Sequence, residues 1–111
     1  MNRKIVRALL KKTTYRLTEA FDGEAGVAAA IEQKPDLILM DVQLPKMSGI
    51  DATRKIRAEA VTAATPILVI TSFALSGDEQ KAMEAGATGY LAKPYSPIDL
   101  LGRIRKLVPE E

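Results

Sequence analysis

Two short apolar runs constrain the fold of this chain more than any other feature of its sequence. Residues 37–40 (LILM) and 67–70 (ILVI) are continuous apolar segments bounded by turn-forming residues. Runs of this kind are typical of strands buried on both faces, as in parallel sheets covered by helices. Residues 89–93 are predicted to form a further short strand, and residues 15–21 alternate as a strand does.

Helix signals alternate with these strands. Residues 2–12 place apolar side chains on one stripe with Arg and Lys opposite, which predicts an amphipathic helix. Residues 24–33 are rich in Ala and end before Pro35, which a helix does not continue through. Ser48 is predicted to cap a helix over about 49–61. Strict alternation of strands and helices predicts an α/β domain with helices on both faces of a parallel sheet.

Two further helices are predicted in the second half of the chain. Ser76 and Glu79 form a capping-box pattern for a short helix that stops at Gly86. Ser96 is the predicted cap of the last helix, with Pro97 as its first residue. The apolar residues of the last helix that are expected to face the core are Ile98, Leu101, Ile104 and Leu107.

Composition excludes several classes of function. The chain has 111 residues, the size of one domain, and its net charge of +2 comes from 16 basic and 14 acidic residues without a run of either sign. This balance predicts neither a nucleic-acid patch nor a membrane surface. The absence of Cys and His excludes thiolate metal sites and the commonest general base, so any metal must be oxygen-bound. Without a membrane span or signal peptide, a cytoplasmic protein is expected.

Polar residues stand where three of the predicted strands end, namely Asp41, Thr71 and Lys93. In open α/β sheets, functional groups gather at the carboxyl ends of the strands. A carboxylate can attack phosphorus, a hydroxyl can bond a phosphoryl oxygen, and an ammonium can neutralise its charge. Singly, each residue has an ordinary explanation: a loop-capping Asp, a β-forming Thr and a solvated Lys. Their joint occurrence favours a phosphoryl site.

Three longer segments carry a more specific pattern. Residues 36–49 (DLILMDVQLPKMSG) are an apolar strand followed by Asp, Pro and Met-x-Gly, residues 66–74 read PILVITSFA, and residues 85–94 read AGATGYLAKP. As a set, they resemble the receiver domains of two-component response regulators, and the resemblance covers essentially the whole chain. It implies a flavodoxin-like, doubly wound parallel sheet in which Pro45 and Gly49 shape a loop and have no catalytic role.

The resemblance also implies roles for individual residues. Asp41 is expected to be the phosphoacceptor, taking the group from a sensor histidine kinase or a phosphotransfer protein. Thr71 and Lys93 are expected to contact the phosphoryl group, and Tyr90 to be an aromatic switch that turns inward as Thr71 moves. An equally weighted interpretation of Tyr90 is a strand aromatic that packs on a helix. The main-chain carbonyl of Gln43, with Asp41, is expected to ligate magnesium (Mg2+).

The sequence departs from this family pattern at its start. Family members begin with a strand that ends in two acidic residues, which hold most of the magnesium, and residues 2–12 match the helix that follows this strand. The chain is therefore expected to be a single, N-terminally truncated receiver domain over 1–111, with four strands and with magnesium bound weakly or not at all. Glu19, Asp22 and Glu24 are interpreted as edge and cap charges that do not replace the acid pair.

The missing first strand is expected to have a structural cost. In the family it lies between the strands at 15–21 and 36–41, so its absence leaves backbone groups of both strands unpaired. Each such group costs about 1–3 kcal/mol when buried. Rearrangement of the sheet, exchange of elements or formation of a homodimer is therefore expected.

Three functions stay open from the sequence. The first is a phosphoacceptor signalling domain, not otherwise an enzyme, which assists its own phosphoryl transfer. Because no second domain follows Val108, it is expected to act through a downstream protein effector without direct DNA binding. The second is a receiver-derived interaction module that is not phosphorylated. The third, a small α/β enzyme or nucleotide-binding domain, is disfavoured because the chain has no Gly-rich phosphate loop, His or Cys.

Overall fold

The sheet is built around a central strand, β2 (Ile67–Thr71), with β1 (Ile38–Asp41) and β3 (Gly89–Ala92) paired parallel on either side. All five residues of β2 are buried. This confirms the prediction for the run at 67–70, whereas in β1 only Met40 is buried, because among the described strands β1 pairs with β2 alone. The structure is a computed structural model and describes residues 15, 20, 22–43, 46–71, 77–92 and 96–109.

Four α-helices accompany the strands in the described part of the chain. They are α1 (Gly23–Gln33), α2 (Gly49–Ala58), α3 (Asp78–Glu84) and α4 (Pro97–Leu107). The helix predicted over about 49–61 starts as expected, but it ends at Ala58, and a separate 3-10 turn occupies Ala60–Thr62. None of the helices in these ranges is long and apolar enough to cross a membrane.

Three of the described helices begin at a side-chain cap, and for two of them, α2 and α4, the cap is a predicted serine. The Ser48 hydroxyl accepts a hydrogen bond from the Asp51 N–H at 3.1 Å. The Ser96 hydroxyl accepts from the Asp99 N–H at 3.1 Å, and the Asp99 carboxylate accepts in return from the Ser96 N–H at 3.3 Å. Such contacts satisfy N–H groups that have no partner within the first turn of a helix. Both predicted caps are confirmed, and Pro97 is the first residue of α4.

The start of α3 differs from the prediction. Its cap position is Gly77, not Ser76, and no side chain there accepts a hydrogen bond. Gly77 has a φ of 87°, a conformation that glycine adopts without a steric penalty, so the turn geometry moves the first helical residue to Asp78. Ser76 itself lies outside the described residues. The predicted end is confirmed, since α3 stops at Glu84 and Gly86 has a φ of 110°.

Alternation along the strands supplies two apolar clusters, one on each face of the sheet. On one face, Ile67 and Val69 of β2 pack with residues of α1, α2 and α3. On the other face, Leu68 and Ile70 pack with Leu91 and with the buried residues of α4. Helices therefore cover both faces, which confirms the doubly wound α/β arrangement.

The face that α4 turns to the sheet is only partly the predicted one. Leu100 and Ile104 are the buried residues of this helix, at 0% and 3% exposure, whereas Ile98 is 82% exposed. The prediction of an inward Ile98 is therefore wrong. An i, i+4 pair faces one direction, and Ile98, two positions before Leu100, falls on the opposite side. Leu101 and Leu107 pack at the margin of the cluster.

Predictions for the start of the chain fall mostly outside the described residues. The helix predicted at 2–12 lies there entirely. Of the strand predicted at 15–21, only Tyr15 and Ala20 are described, and the Tyr15 hydroxyl donates a hydrogen bond to the Val108 carbonyl. Four strands per chain, and a rearrangement or dimer that compensates for a missing strand, stay predictions.

The corrected orientation of α4 can be tested by making the same change, isoleucine to alanine, at a buried and at an exposed helical position. Ile56 in α2 is 0% exposed and Ile98 in α4 is 82% exposed. We expect Ile56→Ala to lower the free energy of unfolding by about 2–5 kcal/mol, because it leaves a cavity in the core. Ile98→Ala should change it by less than about 0.5 kcal/mol. Urea denaturation measures both, and a large loss in Ile98→Ala would contradict the exposed position.

Candidate functional site

Asp41 is the last residue of β1 and lies half-buried at the carboxyl edge of the sheet. It pairs with Ile70 in register, and the Val42 N–H extends the ladder by donating to the Ile70 carbonyl at 3.1 Å. The Gln43 N–H donates to Asp41 Oδ1 at 3.0 Å. The backbone just beyond β1 thus helps to orient the carboxylate.

Gly49 holds the start of α2 against the Asp41 backbone. Its N–H donates to the Val42 carbonyl at 2.9 Å. A Cβ on this residue would lie 1.9 Å from the Asp41 carbonyl oxygen, a distance that no side chain can tolerate. The close approach therefore requires glycine. The structure supports the expectation that Gly49 shapes this loop, whereas Pro45 lies outside the described residues.

Thr71 is the last residue of β2, and its side chain is completely buried. Its hydroxyl donates a hydrogen bond to Oε1 of the Gln43 side chain at 2.9 Å. Gln43 therefore touches both predicted site residues, Asp41 through its main-chain N–H and Thr71 through its side chain. Lys93, the third residue of the predicted site, lies outside the described residues.

The side chain of Gln43 is the part of the site that the sequence did not reveal. The sequence assigned a role only to its main-chain carbonyl, as a magnesium ligand, and that role stays a prediction. The one available signal was its place two residues after Asp41, at the edge where β2 also ends. That spacing does not determine the direction of a flexible amide side chain.

Tyr90 lies in β3, pairs with Val69, and packs half-buried against the cluster formed with α1, α2 and α3. Its hydroxyl is buried and makes no hydrogen bond to any described residue. Burial raises the pKa of this phenol, and the negative charges of Asp78 and Glu79 raise it further. The packing agrees with the interpretation of Tyr90 as a strand aromatic, and a switching role stays a prediction.

The described residues show no cluster of acidic side chains around a magnesium site. Within the described ranges, no three acidic side chains lie close enough together to hold a metal ion. Residues 1–14 contain no Asp or Glu. Asp22 has another role, because it accepts from the Ala25 N–H at 2.8 Å as the cap of α1 and pairs with Lys46 at 3.7 Å. Asp41 is therefore the carboxylate at this edge that stays available as a predicted magnesium ligand, with waters expected to fill further positions.

Comparison with known proteins identifies the class to which this fold and site belong. The sequence matches the family described as Response regulator receiver domain over residues 1–105. It is 34% identical over 96 residues to the polar-differentiation response regulator DivK of Brucella anthropi, covering 86% of this chain and 78% of DivK. It is also 34% identical over 106 residues to the response regulator PleD of Caulobacter vibrioides, covering 96% of this chain but only 23% of PleD.

Solved structures show the same relationship. The receiver domain of the sensor histidine kinase PA1611 from Pseudomonas aeruginosa PAO1, which has a magnesium ion coordinated in its active site cleft, matches with 38% identity and a TM-score of 0.86, over 96% of this chain and 87% of its own. The chemotaxis protein CheY4 of Vibrio cholerae matches with 31% identity and a TM-score of 0.85, over 96% of this chain and 88% of its own. The chain belongs to the response-regulator receiver domain family, has its flavodoxin-like fold, and is a domain of two-component signalling.

The close approach at Gly49 can be tested against a second helical glycine. We expect Gly49→Ala to lower the free energy of unfolding by about 2–4 kcal/mol, because the new methyl group must displace the Asp41 backbone. Gly102 in α4 is exposed, and a methyl group added there would meet nothing within 4 Å, so Gly102→Ala should raise stability by about 0.5–1 kcal/mol. Chemical denaturation of the two variants and the parent checks the opposite signs.

The buried phenol of Tyr90 predicts a dependence of stability on pH. Because its pKa is higher in the folded protein, ionisation of this residue lowers stability as pH rises above the unfolded pKa of about 10, and below that value the phenol is neutral in both states. Tyr90→Phe should therefore lose less stability than the parent as pH rises above about 10. At neutral pH it should cost nothing, because the hydroxyl has no described partner to lose.

Tyr15→Phe provides the matched control for this measurement. The Tyr15 hydroxyl donates to the Val108 carbonyl, so its removal should cost about 0.5–1.5 kcal/mol at neutral pH. Denaturation curves at several pH values distinguish the two variants. A loss at neutral pH as large in Tyr90→Phe as in Tyr15→Phe would contradict the prediction.

Proposed function

We propose that Asp41 accepts a phosphoryl group from a histidine kinase or phosphotransfer protein and that the resulting change of conformation is read by a downstream protein effector. The observation that carries this proposal is the arrangement at the sheet edge. The Asp41 carboxylate and the Thr71 hydroxyl end adjacent parallel strands, and both bond to Gln43. A carboxylate and a hydroxyl are thereby held at one edge in a member of the receiver family, which supports them as the proposed nucleophile and phosphoryl-binding group.

The proposed transfer needs no catalytic base. A carboxylate oxygen of Asp41 attacks phosphorus, and the P–N bond of a phosphohistidine donor that is protonated on its other ring nitrogen breaks, so the ring leaves as neutral imidazole with the electron pair of that bond. The product is an acyl phosphate. The Gln43 N–H, 3.0 Å from Oδ1, favours one orientation of the carboxylate before the reaction.

Charge on the transferred group needs compensation. We propose that Lys93, which follows Ala92 in the sequence, supplies a positive charge, since Ala92 pairs with Thr71 at the carboxyl edge of the sheet. Magnesium is proposed to bind only weakly, because the acid cluster it prefers is absent from the described residues. A cytoplasmic location is proposed, where such a donor and effector would meet the domain.

The same shortage of acidic ligands supports a second candidate function. A receiver-derived domain without a metal site could serve as a protein-interaction module that takes no phosphoryl group. Both candidates share the fold and differ in the chemistry of Asp41. A single labelling experiment separates them.

We expect the protein, incubated with a small-molecule acyl phosphate in magnesium-containing buffer, to gain the mass of one phosphoryl group. Asp41→Asn should abolish the gain, because the amide is not a nucleophile. The added group should be released by hydroxylamine, as an acyl phosphate is. Intact-mass spectrometry gives the readout.

Asp51→Asn is the matched control for the labelling experiment. Asp51 is an exposed carboxylate ten residues further along that pairs with Arg54 at 2.9 Å, so this variant should be labelled like the parent. Absence of labelling in the parent, under conditions that label an ordinary receiver domain, would favour the interaction module. Labelling that persists in Asp41→Asn would contradict the proposed acceptor.

A further inference from the structure

The side chain of Gln43 makes a contact that the proposed transfer chemistry does not use. Gln43 is exposed to solvent, yet its amide oxygen reaches the hydroxyl of the completely buried Thr71 at 2.9 Å. The two residues are 28 positions apart in the sequence. A hydrogen bond to a completely buried hydroxyl stabilises the arrangement in which it forms, so the contact favours the present position of Thr71.

The Thr71 hydroxyl has one proton to donate. In the structure this proton points to Gln43 Oε1. To donate to a phosphoryl oxygen on Asp41, as the proposed function requires, the hydroxyl must leave the amide. The Gln43 contact and the phosphoryl contact therefore compete for the same proton.

We propose that the Gln43 side chain is a latch that holds Thr71 in its unphosphorylated position and thereby limits how much of the domain is phosphorylated at a given donor concentration. This inference rests on the proposed function of Asp41. Gln43 acts through Thr71, so it is a positioning residue and not a catalytic one.

Phosphorylation at Asp41 would act on the latch directly. Gln43 is two residues from Asp41, and its own N–H bonds the Asp41 carboxylate. A phosphoryl group there places negatively charged oxygens near the partially negative amide oxygen of Gln43, and these oxygens are stronger acceptors for the Thr71 proton than a neutral amide. The latch thus opposes the phosphorylated state without preventing it.

Gln43→Leu tests the latch, because leucine keeps much of the side-chain volume and accepts no hydrogen bond. We expect this variant to reach, at limiting acyl phosphate, a ratio of phosphorylated to unphosphorylated protein about two- to tenfold higher than the parent, the factor that corresponds to one intramolecular hydrogen bond. Intact-mass spectrometry measures the ratio. Gln33→Leu, the same change at an exposed position at the end of α1, should leave the ratio unchanged.

A double-mutant cycle tests the hydrogen bond without phosphorylation. Gln43→Leu and Thr71→Val are measured singly and together by chemical denaturation. We expect their effects on the unfolding equilibrium constant to be non-additive by about two- to tenfold, because the second change cannot remove this hydrogen bond again once the first has broken it. Additive effects would overturn the latch whatever the labelling shows.

The outcomes separate the latch from the proposed function. A labelled parent whose phosphorylated ratio is unchanged or lowered in Gln43→Leu overturns the latch and leaves Asp41 as the acceptor. Labelling of Gln43→Leu but not of the parent supports both. Labelling of neither overturns the proposed function, and the latch as a limit on phosphorylation falls with it.

Discussion

The parallel pairing of β2 with a strand on each side is the interaction on which the rest of the structure depends. Parallel strands end at the same edge, so the register that pairs Asp41 with Ile70 and Thr71 with Ala92 brings polar side chains to that edge. Residues of β2 point alternately into the two apolar clusters. Displacing this strand would disrupt both clusters, and this cost holds the site geometry in place.

Features that depend on local chemistry were predictable from the sequence. The strands follow from apolar runs, which can be recognised without knowing which strands pair with each other. The Ser48 and Ser96 caps follow from hydrogen bonds between residues fewer than four positions apart. The orientation of α4 was not predictable in the same way, because several apolar stripes fit its sequence and packing against the sheet selects one. That selection places Leu100 inside and leaves Ile98 exposed. The start of α3 depends on the positive φ of Gly77, which the capping pattern at Ser76 does not encode.

The site shows the same division between local and distant causes. Asp41 and Thr71 could be predicted because each ends an apolar run, and strand ends converge in any parallel sheet. The contact from Gln43 to Thr71 could not, since it joins residues 28 positions apart and depends on a side chain with several rotatable bonds. Tyr90 allowed two interpretations from the sequence. Its packing against the cluster formed with α1, α2 and α3 agrees with the interpretation as a strand aromatic. The sequence could not decide this, because the neighbours of Tyr90 in space belong to other elements.

Positioning and charge compensation are separable contributions to phosphoryl transfer, and the described residues supply them unequally. Positioning is present, because the Gly49 approach anchors the Asp41 backbone and the Gln43 N–H bonds its carboxylate. Charge compensation is sparse, because no acid cluster for a metal accompanies them. Electrostatic stabilisation is usually the largest single contribution to catalysis, whereas correct positioning alone still lowers the barrier. If Asp41 accepts a phosphoryl group as proposed, a site with this balance should depend more strongly on its phosphodonor, and on the competition for the Thr71 proton, than a site in which a bound cation also compensates the charge.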